Sequence, residues 1–239
     1  MAEIVERKAF TEGLSDLNEN MTTLAELAEL AIRKAVATLD FDHPEPEGGK
    51  DVVTIDQEMY ALREQVVRRC VDLIALHAPV ARDLRQVTTS IEISNDLDRI
   101  GRYSRDIVEI TEILGADVRG PTKAAEHLVE MGQQAIALVN RAVQAFVERR
   151  ADLVVDIVAR DDPVDRLHDE VFREIIARIE DRSITPRIGA EFILINRYFE
   201  RLADHAVNIG LHVTYYVTGV RPHWSAHTGE PAPPVLPTA

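Results

Sequence analysis

Residues 191–217 read EFILINRYFERLADHAVNIGLHVTYYV. Phe192, Ile195, Phe199, Leu202, Ala206, Ile209, Val213 and Tyr216 recur there at alternating steps of three and four. That spacing puts all eight on one stripe of a helix, the seam of a bundle. The same seam runs through Ile93, Leu97, Ile100, Ser104 and Ile107, displaced by 102 residues. A repeated seam at a fixed offset points to a duplicated unit, each copy ending in a long helix.

Helix-breaking segments fall at His43–Gly49, His77–Pro79, Gly115–Pro121, near Ala151, at Ser183–Pro186 and after Gly219. The stretches between them lack the short alternating runs of strands. They predict an all-α chain of six helices, at about 3–40, 52–76, 80–114, 121–149, 152–182 and 187–218. The expected architecture is two tandem three-helix bundles related by pseudo-symmetry, residues 1–116 and 117–219, followed by a flexible tail over 220–239. The tail is rich in Pro, Thr and Ala. Short connections at Pro79 and Pro186 make the helices on either side antiparallel neighbours.

Composition narrows the function. Of 239 residues, 46% are hydrophobic, enough for a substantial core. Forty-one acids against 27 bases give a net charge of −14, with no basic stripe. Such a surface argues against nucleic acid and anionic lipid as partners, so membrane association is expected only through another protein. No apolar leader or spanning run is present, which predicts a cytoplasmic protein. The lone Cys70 sits in VVRRCVDLIAL and reads as a small buried hydrophobe. Nucleotide-binding glycine motifs and GxSxG are absent, as is a Cys or Ser nucleophile with a matched His, so catalysis is not expected.

The distinctive chemistry is acidic. With Phe199 and Leu202 inward, Glu200 and Asp204 stack at i and i+4 on one flank. In the fifth helix Val164, Leu167, Val171 and Ile175 mark the core, leaving Asp165 and Asp169 on the matching flank. Counted from the turn near Ile184, Asp169 faces Glu200 and Asp165 faces Asp204. Four carboxylates so placed either stand apart in water as a solvated helix pair or share a cation. Oxygen ligands suit Mg, Ca, Mn or Fe, and bordering His168 and His205 widen the choice to iron, nickel or zinc. In the first copy the equivalent positions are Asp98 and Arg102, opposite Asp56 and Tyr60. Asp98, Arg102 and Asp106 form an acid, base, acid ladder, which predicts an exposed salt-bridge network and little or no metal. Asp83 suits the dipole of the third helix, with Arg85 pairing to it or to a neighbouring acid.

These motifs resemble the PhoU family over residues from about 8 to 219. APVARDLR (Ala78–Arg85), NDLDRIGRYSRDI (Asn95–Ile107), FERLADHAVNI (Phe199–Ile209) and YYVTG (Tyr215–Gly219) carry the resemblance together. It implies a homodimeric, non-enzymatic regulator built from two three-helix bundles, with multinuclear iron or zinc at paired acid-x-x-x-Asp motifs in some members. It also implies an adaptor role between the ATPase subunit of a phosphate ABC transporter and a sensor histidine kinase. There it would damp uptake and the starvation response, peripheral to the membrane. The alternatives within the family are a secondary phosphate transporter or a transcription regulator as partner. A di-metal carboxylate enzyme is the rival from another class, but only Asp165 and His168 approximate the Glu-x-x-His pairs it needs. Glu200 and Asp204 keep the second motif, whereas Arg102 breaks the first, leaving Asp98 and Arg99 in pattern. Arg99 and Arg201, each after the first acid of a motif, are candidates for an acidic partner surface or for pairing with nearby acids.

Overall fold

The computed structural model describes residues 2–41, 48–115, 118, 123–159, 161–224 and 231–232. Among these, seven helices form: α1 (Ala2–Ala37), α2 (Gly48–His77), α3 (Ala81–Leu114), α4 (Lys123–Glu148), α5 (Leu153–Ala159), α6 (Asp161–Glu180) and α7 (Pro186–Thr218). The only β-structure among them is a two-residue antiparallel pair, β1 (His223–Trp224) with β2 (Pro231–Ala232). Residues 225–230 and 233–239 of the expected tail lie outside the described residues. Its start is anchored rather than free, because Arg221 donates to Glu92 at 2.9 Å and lies over the Tyr215 ring.

The single helix expected over 152–182 is two, α5 and α6. Asp161-Asp162-Pro163 accounts for the break: proline has no N–H to give and is tolerated only in a first helical turn, where acids also suit the dipole. The other ends follow local chemistry. Thr185 caps α7 by accepting from the Ile188 N–H, with Pro186 next in line, and Gly219 closes it in the left-handed conformation at φ 79°. A glycine adopts that φ without the steric cost a Cβ would bring. Arg182, at φ 64°, turns the chain out of α6, and the Ile184 N–H returns to the Arg178 carbonyl.

Helices α1, α2 and α3 pack as one bundle, and α4, α6 and α7 as the other, with α5 against α4 and α7. Both seams are buried as their spacing requires, from Ile93 through Ile107 and from Phe192 through Tyr216. The two bundles share one continuous core. Cys70 is sealed within it, and burial pushes its thiol up to about 12.

The most extensive helix pairing in the molecule is α3 against α7, which joins the copies. Its contacts obey the 102-residue offset. Tyr103 and its counterpart His205 stack on each other, 5.7 Å between ring centroids. Each also reaches the residue seven places back on the other helix: Tyr103 stacks on Tyr198, and His205 bonds Asp96 at 2.8 Å. A pseudo-twofold axis between antiparallel helices produces this exchange of equivalent contacts. A buried polar relay extends it, from Tyr216 Oη to Gln86 and from Gln86 to Asn18 on α1. Arg85 does not pair with an acid but donates to the Tyr216 carbonyl near the end of α7, at 3.3 Å. The second close approach between copies is α1 to α4 at Gly132, where an added Cβ would overlap Val36 and meet Phe199 Cε1 at 2.8 Å.

Candidate functional site

The acidic flank of the second copy lies along α6 and α7. Val164, Val171 and Ile175 on α6 and Phe199 and Leu202 on α7 are buried, and this orientation leaves Asp165, Asp169 and Asp204 exposed. Asn196 is buried in the seam and donates to the His168 carbonyl at 2.9 Å, which sets the register of the two helices. Glu200, four residues further along α7, therefore lies across from the Val164–Asp165 turn. Of the two expected pairings, Asp165 does stand near Asp204, the foremost charge acting on it, whereas Asp165 and His168 rather than Asp169 are the α6 groups acting on Glu200.

Glu200 is only half relieved of its charge. Arg197 donates to its Oε1 at 2.6 Å, an ion pair absent from the sequence reading, while Oε2 is buried without a partner. Burial pushes the carboxyl above the usual range, and the neighbouring Asp204 charge pushes it further; Arg197 and His168 oppose and Asp165 adds to the rise. Asp165 is raised as well, first by burial and then by Asp204, Asp162 and Asp169. Asp165, Glu200 and Asp204 thus form one electrostatic unit, with Asp169 coupled to it through Asp165. His168 stands beside them, its Nδ1 buried and unpartnered. His205 does not border this patch. It turns to Asp96 on α3, at the pseudo-twofold axis.

The donor chemistry fits a cation, since uncompensated carboxylates stand beside an orphaned carboxylate oxygen and an orphaned ring nitrogen. Yet among the described residues no three His, Cys, Asp or Glu side chains converge as a ready-made cage. Binding there would require side-chain rearrangement on the α6–α7 face.

The equivalent face of the first copy, on α2 and α3, holds the salt-bridge network the sequence predicts, but not at the surface. Asp98 has a side chain only 6% exposed and accepts from Arg102 Nη2 at 2.7 Å, with Arg63 Nε 3.9 Å away. Asp56, also buried, accepts from Arg105 at 2.6 Å, and Arg105 further engages Asp106 at 3.0 Å and Glu109 at 3.3 Å. Asp106 therefore pairs with its neighbour Arg105 rather than completing a ladder through Arg102. Asp98 has one oxygen engaged by Arg102 and stands among arginines, which makes it a poor metal ligand. Tyr60 is exposed, with Arg63 stacked over its ring.

Arg201 is not free for a partner. It lies over the Tyr103 ring and reaches its hydroxyl at 3.4 Å, inside the junction of the copies. Arg99 is exposed and has no partner among the described residues. Between them the junction gathers Glu92, Asp96, His205 and His212, with His212 3.3 Å from both acids. Asp96 is lowered on balance: burial would raise it, and the hydrogen bond from His205 together with His212 outweighs burial. Of these, Glu92 and Asp96 share the i, i+4 acid spacing of Glu200 and Asp204, and this spacing was the signal that could have pointed to them.

A duplicated all-helical bundle, joined by its two repeat-final helices and carrying charged faces at symmetry-equivalent positions, defines the class. A model of the PhoU domain matches residues 21–111 and 128–213, one match per copy, and the chain belongs to the PhoU family. It is 32% identical over 217 residues to the phosphate-specific transport system accessory protein PhoU homolog 1 of Mycobacterium tuberculosis, covering 90% of this chain and 96% of that protein. The Clostridium acetobutylicum PhoU homolog is 26% identical over 215 residues, covering 89% and 96%. Among solved structures, PhoU from Pseudomonas aeruginosa superposes with a TM-score of 0.82 at 26% identity, over 88% of this chain and 99% of that one.

Proposed function

We propose that this chain is an accessory protein of phosphate-specific transport that works by protein contact and catalyses no reaction. The observation that carries the reading is the 102-residue offset of its two charged faces on a double bundle with one shared core, in a chain whose 32%-identical relative bears that accessory name. A fold of this kind presents fixed surfaces to other proteins. Among the described residues no helix is long and apolar enough to cross a membrane, so contact with a transporter would be peripheral. The natural partner is the ATPase subunit of a phosphate ABC transporter, with a sensor histidine kinase or transcription regulator downstream, and the effect is to restrain uptake and the starvation response. The working form expected on this reading is a homodimer.

Glu200, Asp204 and Asp165, with His168 adjacent, would hold a divalent or ferric cation on the α6–α7 face. The ion would supply the positive charge that this face lacks. Pull-down of the tagged chain from native membranes tests the reading: an ABC ATPase should co-purify, and recovery only of a secondary transporter would redirect it. Metal content measured by mass spectrometry should fall sharply in a Glu200→Ala, Asp204→Ala double variant. Unchanged content would remove the cation from this face.

A further inference from the structure

On the first copy, a cleft of about 560 Å³ opens between α2 and α3, lined in part by Arg63, Asn95, Asp98, Arg99, Arg102 and Arg105. Arg105 is occupied by three acids. The other guanidiniums keep unused donors. Arg99 has no partner among the described residues, and Arg102 is half exposed and contributes one nitrogen to Asp98, whereas Arg63 is tied to Glu64 and Asn95, and Asp106, held by Arg105, also lines the cleft. Among these cations sits the opposite defect. Asp98, with 6% of its side chain exposed, has Oδ2 engaged by Arg102 while Oδ1 is buried and accepts from nothing.

An unmatched acceptor beside unmatched cationic donors restricts what fits. A metal ion would satisfy Asp98 but meet the arginines. A fully ionised anion such as sulfate would satisfy the arginines, but an oxygen near Asp98 Oδ1 would place two bare acceptors against each other. An oxyanion that still carries an acidic proton satisfies both, since it accepts from guanidinium forks and donates one O–H to the carboxylate. Inorganic phosphate retains such a proton throughout the physiological range, and sulfate does not.

We propose that this cleft binds inorganic phosphate, with Arg99 and Arg102 holding its oxygens and Asp98 Oδ1 accepting its P–OH proton. The site lies on the copy where Arg102 replaces the second acid of the motif, and it needs neither a metal nor the accessory role argued above. The arginines provide attraction and Asp98 provides selection.

Calorimetric titration of the full chain with sodium phosphate and sodium sulfate, at neutral pH and matched ionic strength, tests this. Phosphate should bind at least about tenfold more tightly than sulfate, a difference of roughly 1.4 kcal/mol. Arg99→Ala removes an exposed, unpartnered side chain, so the protein stays folded, and phosphate affinity should fall by about fivefold or more. Asp98→Asn replaces the bare acceptor with a group that can donate, so the preference over sulfate should shrink toward parity. If that variant fails to fold, Arg99→Ala decides alone. Equal binding of phosphate and sulfate, no binding at about 10 mM ligand, or an unaltered affinity in Arg99→Ala would overturn the proposal. Tighter binding of O-phosphoserine than of inorganic phosphate would overturn it as well, by assigning the cleft to a phosphorylated protein.

Discussion

At position 98 and at its repeat equivalent 200 stands a carboxylate on the same flank of a repeat-final helix; four residues on, one copy has Arg102 and the other Asp204. That change of sign is one of the differences that separate the two faces. Asp98 is drawn in to 6% exposure and fixed by Arg102, with Arg63 behind it. Glu200 keeps 15% exposure, finds only Arg197, and is pushed toward its protonated form by burial and by Asp204. A duplicated scaffold thus offers one face whose carboxylate is neutralised by arginines that keep spare donors and one whose negative charge is left open, which suits two different external groups.

The seams beneath the faces should not share this asymmetry. Phe199 and Leu97 are equivalent, fully buried knobs. Phe199→Ala should cost about 3–5 kcal/mol and Leu97→Ala about 2–5 kcal/mol in urea unfolding, because each leaves a cavity in close-packed surroundings. A cost below about 1 kcal/mol in either would show that the copies do not contribute equally to the shared core.

The faces should respond with opposite signs to the same chemistry. Asp98→Asn breaks a charge-assisted bond to Arg102 and should destabilise by about 1–2 kcal/mol, at the low end because Arg102 is half in solvent. Glu200→Gln removes a carboxylate disfavoured by burial and by Asp204, and should be neutral or stabilising by about 0.5 kcal/mol. Parallel thermal melts of the two variants measure this. Equal destabilisation would mean that Glu200 is as well compensated as Asp98.

Much of this contrast is legible in the chain. The three-four seam names the core of α3 and α7 residue by residue, and the 102-residue offset identifies Arg102 as the odd member of its set. Helix register is less legible, because it is fixed by contacts between helices, here the Asn196 side chain bound to the His168 carbonyl. The break before Asp161 was readable in principle from Pro163, but proline in a first turn interrupts no apolar pattern. The burial of Asp98 was not readable at all: it follows from Arg63 and Asn95 closing over it from a different helix and a different turn. The His205 assignment failed for a related reason. Helical spacing puts His205 next to Asp204 along the chain, yet the inter-copy packing on Tyr103 and Asp96 decides where its ring points.

The smallest effect is the pH dependence, and its sign follows from proton counts. Glu200 and Asp165 are raised, so across the window from the ordinary carboxylate range upward the folded state binds more protons than the unfolded state. Their contribution therefore favours folding at low pH and is lost as pH rises through the raised values. Asp96 runs the other way: lowered by His205 and His212 against its burial, it stabilises above the ordinary Asp value and is lost as pH falls through its folded value. Melting temperatures of wild type and Glu200→Gln should hence coincide near pH 4 and separate by a degree or two toward pH 7, about 0.5 kcal/mol for a chain of this size. Added divalent cation should close that gap if the α6–α7 face loads, because its charge offsets the burial and the Asp204 repulsion that raise Glu200. A gap that instead widens toward acid would reverse the assignment of open and neutralised faces.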